Sequence, residues 1–475
     1  MRKYVSALVA ALLVAPAGLV AQPGTPTASA EDNGVGLTPA MGWSSWSFLR
    51  SRPTAAKIEA EARALVKSGL AKVGYRYVNL DDFWYVCPRG DGSVTTGNSP
   101  VGPEVDRYGR WVTNSNFPPG PNGENGIEVV AKYVHSLGLK FGIYVTPGIS
   151  IQAVKKNTVV LGKNGKPSGY TAKEIANTSL YETNYNCGYD PNNGGGNGAM
   201  VGLNYKSPGA QDFIDSWADE FASWGVDYLK LDGVSNFDIP DVKAWSKALR
   251  QTGRPIHLEL SNSLNINFAS TWEKYSNGWR TGSDIECYSC EQAGSSYPLT
   301  SWANVELRFD QVAVWQPYGR PGAFNDYDSI EVGNGNNDGL TVPERKPQLS
   351  LWSLASSPLI LGTDLTHLDR TDLALLKNTA VISVDQDAVD ASRIAEGPNW
   401  QIFAKNDKEG VVVGLFDTGS RPERITTTGS QLRLKSSRAY ELDNLWSHRS
   451  SRIGGIIAAR VPSHGVALYR VTALH

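Results

Sequence analysis

Little in this chain offers itself to redox or transition-metal chemistry, since 475 residues carry only four cysteines, six histidines and three methionines. Cys287 and Cys290 stand in a C-x-x-C spacing, but no second close cysteine pair or histidine cluster accompanies them. A structural disulfide therefore fits them better than a redox pair or half a zinc site. Four cysteines allow three pairings, and the sequence leaves open how Cys87 and Cys187 are joined. No G-x-S-x-G elbow is present, so serine-hydrolase chemistry has no support. Charge of one sign is lacking as well: 45 basic residues face 47 acidic ones, which gives no reason to expect nucleic acid or an anionic membrane as partner. Beyond the N-terminus no run reaches the roughly 20 apolar residues that a membrane span needs.

The N-terminus itself is expected to be a signal peptide over residues 1–30. Arg2 and Lys3 precede an apolar run from Val5 to Ala21, broken by Pro16, and Ala28-Ser29-Ala30 offers small residues for cleavage. This predicts a secreted protein in which disulfides can persist. What the chain has in plenty is aromatic surface, with 14 Trp and 20 Tyr. Aromatic faces pack in a large core, and they also pack against the apolar C–H faces of sugar rings.

From about Gly36 to Val384 the sequence repeats a short apolar strand, a polar loop and an amphipathic helix. Tyr75–Leu80, Leu139–Val145, Val226–Leu231 and Pro255–Leu260 have strand character. Between them Ile58, Ala62, Leu65 and Val66 keep a helical period, as do Ile127, Val130, Ala131 and Val134, and then Ala210, Phe213, Ile214, Trp217 and Phe221. Alternation of this kind, sustained over this length, predicts parallel strands closed into a (β/α)8 TIM barrel over residues 31–388. Near Asp390 the helical period ends, and Trp400–Ala404, Val411–Phe416 and Val466–Val471 predict a C-terminal antiparallel β-sandwich domain over 389–475. Residues 150–207, with the run Gly194 to Gly198, are expected to form an extended irregular loop after the third strand.

The carboxylates are placed tellingly. Asp81 and Asp82 end the second strand, Asp232 the fourth, Glu259 lies near the end of the fifth, and Asp284 ends the candidate sixth strand Trp279–Ser283. Asp326 and Asp328 follow the candidate seventh, Gly322–Asn325. In a parallel barrel the strand C-termini meet on one face, so these acids should ring one pocket. A hard-cation site is the rival reading. The run Asn334 to Gly339 only superficially resembles a calcium loop, because its twelfth position is Arg345 rather than Glu. Glycoside cleavage needs two carboxyl groups, one to attack and one to transfer a proton. Lys230, two residues before Asp232, would share its pocket and favour the ionised carboxylate, while Arg280 precedes Asp284 by four.

Several motifs then fall in order. They are Leu37 to Trp46 (LTPAMGWSSW), Tyr77 to Trp84 (YVNLDDFW), Leu139 to Tyr144 (LKFGIY), Trp224 to Gly233 (WGVDYLKLDG) and Trp279 to Ile285 (WRTGSDI). Asn325 to Asp328 (NDYD), Glu331 to Asn334 (EVGN) and Leu351 to Gly362 (LWSLASSPLILG) continue the series. Together they resemble glycoside hydrolase family 27, the α-galactosidase family, from about residue 36 to the C-terminus. The resemblance implies a retaining exo-glycosidase without cofactor or metal, acting on a terminal sugar, with Asp232 as nucleophile and Asp284 as acid/base. It implies that Asp81 and Asp82 hold sugar hydroxyls, that Trp46 is an aromatic wall, and that Tyr144, Lys230, Arg280 and Asp328 also contact sugar. Glu259 and Ser261 join this set from the segment that reads the sugar's 2-substituent. There are departures. Phe83 and Gly233-Val234 stand where the family commonly has cysteines, Tyr327 and Ser329 replace Pro and Met, and Glu259 to Leu264 lacks the usual Cys-Glu-Trp. Ser261 falls where N-acetylgalactosaminidases carry a small residue, whereas Leu264 is galactosidase-like. The family also contains β-L-arabinopyranosidases and isomaltodextranases, so the resemblance implies the reaction class more firmly than the sugar.

Overall fold

Eight short, fully paired strands form one parallel sheet in a computed structural model that describes residues 31–88, 94–95, 101–162, 165–182, 184, 186–187 and 199–474. The expected signal peptide and the run Gly194 to Gly198 lie outside the described residues. In chain order the strands are Met41–Ser44, Tyr77–Leu80, Lys140–Val145, Tyr228–Leu231, His257–Leu260, Gly278–Arg280, Phe324–Asp326 and Leu359–Leu361. Each neighbours the next, and the first pairs with the eighth. Between the seventh and eighth the circuit is made by Ile330, whose N–H donates to Ile360 O at 2.7 Å. The TIM-type curl expected from the alternating pattern is thus present. Its strands are shorter than the apolar runs predicted, because the first residues of each run complete loops on the barrel's floor.

The helices lie outside the ring. Ile127, Val130, Ala131 and Val134 are buried on Gly126–Ser136, and all five apolar positions predicted for the next face are buried on Pro208–Trp224. Helix Ala55–Lys67 buries Ile58, Ala62 and Leu65 but leaves Val66 exposed, one position round from the stripe. Its N-terminus is capped by Thr54, whose side chain accepts from Lys57 N. Residues 150–207 are not irregular throughout, as expected, but carry short helices and an antiparallel sheet of Ile149–Ser150, Met200–Leu203 and Ala176–Glu182. Cys87 is bonded to Cys187, tying this insert to the second βα loop, and Cys287 is bonded to Cys290.

Beyond the barrel lies an antiparallel six-stranded sheet with a two-stranded partner, Glu423–Thr428 with Ile456–Val461. Strand Val411–Asp417 shows how it is seated. Val411, Val413 and Leu415 face the partner sheet, while Val412 and Phe416 join the barrel's core. A strand with two buried faces reads as a continuous apolar run, which is what VVVGLF is. Lys405, on the adjacent strand Trp400–Asn406, is completely buried at the junction. Its ammonium donates to Ser353 O, Val389 O and the Asp387 carboxylate (3.1, 2.8 and 2.8 Å). Among the described residues no helix is long and apolar enough to cross a membrane.

Candidate active site

At the C-terminal ends of the strands a cleft of about 190 Å³ is lined by Trp46, Asp81, Asp82, Tyr144, Asn186, Lys230, Asp232, Asp284 and Tyr288. Seven of these were singled out from sequence; Asn186 and Tyr288 were not. Glu259, Ser261, Arg280 and Asp328 line a smaller cavity of about 50 Å³ deeper in the barrel, whose wall also includes Asp81 and Lys230. The predicted single ring of acids is therefore two tiers, joined through Lys230 and Asp81.

Asp81 and Asp82 both reach the cleft although they are adjacent, because the chain leaves the sheet at Leu80 and turns through Phe83, whose φ is +69°. Asp81 Oδ2 accepts from Lys230 Nζ at 2.8 Å, and Asp81 N–H donates to Ser45 Oγ. Asp82 Oδ1 accepts from Phe83 N at 2.7 Å, and its Oδ2 from Asn186 Nδ2 at 2.6 Å. Burial pushes the Asp82 carboxyl up to about 6 despite these donors. Burial by itself would lower the Lys230 ammonium, but Asp81 and Asp232 outweigh it and raise its pKa above the ordinary value. Lys230 therefore stays charged between the two acids.

Asp232 follows the fourth strand directly, its N–H donating to Val145 O at 2.8 Å, and Gly233 at φ +74° then turns the chain away. Asp284 does not end a strand as predicted. The sixth strand stops at Arg280, and Asp284 lies four residues on, in the loop. It is held there from two sides. Arg280 Nη2 donates to Oδ1 at 2.9 Å, and Tyr288 Oη to Oδ2 at 2.6 Å. Partial burial raises the Asp284 carboxyl, but Arg280, Tyr288 and Lys230 together bring it down to about 2. Tyr288 is itself braced. Its hydroxyl accepts from Trp46 Nε1 at 2.8 Å, and the Arg50 guanidinium lies 4.9 Å from its ring centroid. The Cys287–Cys290 disulfide closes around it.

The deeper tier positions the groups of the cleft above it. Asp328, at φ +82°, pairs with Arg280 at 2.8 Å and accepts from Ile285 N at 2.7 Å, fixing both the cation and the backbone beside Asp284. Glu259 is within hydrogen-bond distance of His257 Nε2 at 2.9 Å and accepts from Tyr228 Oη. Burial pushes Glu259 up to about 8 and His257 down to about 3, so this contact is a bond between two neutral groups rather than an ion pair. Ser261 N–H donates to Leu231 O, which keeps the fifth strand in register with the one that leads to Asp232.

Asn186 and Tyr288 had weak sequence signals, each standing beside a cysteine. A disulfide brings either side chain to the cleft, but only if the pairing is known.

Comparison with known proteins gives a consistent result. A family model described as alpha galactosidase A matches residues 196–387, and one described as the alpha galactosidase C-terminal beta sandwich domain matches 397–471. An alpha-galactosidase of Coffea arabica is 31% identical over 447 residues, 93% of this chain and 95% of its own length. Alpha-galactosidase 2 of Arabidopsis thaliana is 29% identical over 449 residues, 93% and 91% respectively. Among solved structures, a GH27 β-L-arabinopyranosidase from Geobacillus stearothermophilus superposes with a TM-score of 0.78 at 26% identity, covering 92% of this chain and 96% of that one. Alpha-galactosidase I from Mortierella vinacea gives 0.67 at 26%, covering 93% and 98%.

Proposed function

We propose residue roles and a substrate on the premise that this chain belongs to glycoside hydrolase family 27, the α-galactosidase family, and is a glycosidase. The proposed reaction is release of terminal α-D-galactose with retention of configuration. The carrying observation is that Asp232, directly after the fourth strand, and Asp284, in the loop after the sixth, line one cleft together with Lys230 and the carboxylate pair Asp81 and Asp82, with Arg280 paired to Asp284.

In this reading the Asp232 carboxylate attacks the anomeric carbon as its bond to the leaving oxygen breaks, and Asp284 gives that oxygen a proton. The glycosyl ester so formed is neutral, which removes a negative charge from the cleft. The loss favours ionised Asp284, as the second step requires, when it takes a proton from the attacking water. Arg280 and Tyr288 hold Asp284 charged, so it acts as acid when substrate displaces one of these donors and shields the carboxyl from the other. Trp46 would wall the sugar, and Asp81 and Asp82 would accept from hydroxyls such as O4 and O6. The N-terminal sequence and the two disulfides support work outside the cytoplasm. Residues 389–475 would serve as a buttress for the catalytic unit 31–388.

One observation favours a second sugar. Asp82 already accepts from Asn186 and Phe83, which leaves it less capacity for O6, and β-L-arabinopyranose differs from α-D-galactose in lacking the C6 hydroxymethyl group. Nitrophenyl α-D-galactoside and β-L-arabinopyranoside, assayed side by side, decide between them: a higher kcat/KM on the galactoside is expected. Proton NMR of the first product should show retained configuration. Prompt inversion, or a covalent sugar trapped on a peptide lacking Asp232, would overturn the roles.

A further inference from the structure

Away from the cleft, Glu182, Asp238 and Asp241 bring three carboxylates together in the protein interior. One oxygen from each lies within 4.8 Å of the others, and the residues are 6%, 1% and 3% exposed. Proximity alone is common among acids, but here two of the oxygens also lack a donor. Glu182 Oε1 and Asp238 Oδ1 are buried and accept from no donor outside the cluster, while the Glu182 and Asp238 carboxyl groups themselves lie within hydrogen-bond reach of each other. Asp238 commits its other oxygen to its own turn, where Oδ2 accepts from Ser235 N and Oγ at 2.6 and 2.8 Å. Asp241 Oδ1 accepts from Tyr205 Oη at 2.9 Å and Gly148 N at 3.2 Å. Among the described residues no lysine, arginine or histidine forms an ion pair with any of the three. The other close acid cluster, Asp284, Glu286 and Asp328, differs in this respect because Arg280 and Arg50 neutralise it.

Buried carboxylates without a cation repel one another and forfeit hydration, each at a cost of several kcal/mol. Oxygens at about 2.3–2.6 Å from one calcium ion lie at most about 5 Å apart, which the cluster satisfies. An all-oxygen donor set with no imidazole or thiolate selects a hard ion over zinc or copper. We propose that Glu182, Asp238 and Asp241 form a structural site for a divalent cation of calcium type. Its position gives it a task. Glu182 ends the strand Ala176–Glu182 of the insert, while Asp238 and Asp241 belong to the turn and helix that follow Asp232. A cation there clamps the insert to the element behind the nucleophile, four residues before Asn186 donates to Asp82.

The test is direct and needs no substrate, so it stands apart from the assignment of the reaction. Full-length protein is stripped with chelator, titrated with CaCl2 by calorimetry, and melted with and without the ion. One equivalent per chain and a rise in Tm of at least about 3 °C at saturation are expected. Glu182→Gln, which keeps the shape, should abolish both. Asp241→Asn serves as a second variant, read by calcium binding alone should Glu182→Gln fail to fold. The proposal is overturned if stripped protein binds no calcium and its Tm is unmoved, with Glu182→Gln as stable as the parent, which is the behaviour of carboxyls sharing protons. It is equally overturned if the Tm shift is the same in both variants as in the parent.

Discussion

Replacing Tyr288 by Phe removes one hydroxyl from the cleft and should shift the pH dependence of catalysis. The hydroxyl donates to Asp284 Oδ2 at 2.6 Å, and the bond stabilises the charged form more than the neutral one. A hydrogen bond to a charged group is worth about 1.5–3 kcal/mol. The Asp284 side chain is 42% exposed, and solvent screening reduces that figure to roughly 1 kcal/mol. At 1.36 kcal/mol per unit, the Asp284 carboxyl should rise by about 0.5–1 unit in Tyr288→Phe. The alkaline limb of kcat/KM reports the proton on the free enzyme's acid, so it should move up by the same amount. The assay is a pH profile of kcat/KM on a substrate with a poor leaving group, against a dinitrophenyl glycoside whose departure needs no proton. The limb should move for the first and not for the second. An unmoved limb with a reduced kcat/KM would mean that Tyr288 is a wall for the leaving group and does not set the proton on Asp284.

Three further outcomes follow from the same geometry. Asp82→Ala should lower kcat/KM at least about tenfold, roughly 1.4 kcal/mol of transition-state binding, because hydroxyls lose a charged acceptor; if the folded variant keeps its kcat/KM, Asp82 serves only to fix Phe83 N and Asn186. Lys405→Met should destabilise the chain by about 3–5 kcal/mol, since it strands the Asp387 carboxylate and the carbonyls of Ser353, Val384 and Val389 at the junction between barrel and C-terminal sheet, and a fall in the urea midpoint measures it. Burial and the charge of Asp364 push Glu61 up to about 9, so it binds a proton in the folded chain that the unfolded chain releases near the ordinary value. Its contribution to stability is complete below about pH 4.3 and is lost as pH rises through about 9. Glu61→Gln should flatten that decline in urea midpoints taken at pH 5, 7 and 9, and an unchanged slope would refute the assignment.

The division between what sequence and tertiary structure each decide is clear in particular elements. Helix positions such as Ile127, Val130, Ala131 and Val134 were legible because a 3.6-residue period is a local consequence of burying one face. The acids after the strands were legible for a related reason: parallel strands carry their C-termini to one face whatever the loops do. That logic put Asp81, Asp82 and Asp232 in the cleft correctly. It could not separate the upper tier from the lower, since depth depends on how far each strand rises before it ends, and Arg280 ends its strand four residues before Asp284. Nor could it find the order within residues 150–207, whose strands pair with one another across long separations and leave no periodic signature. The contact of Asn186 with Asp82 and the cluster at Glu182 are products of tertiary structure. Each forms only when a disulfide or a distant turn closes the chain, and a contact between residues 56 or 104 positions apart has no local physical cause that a sequence could display.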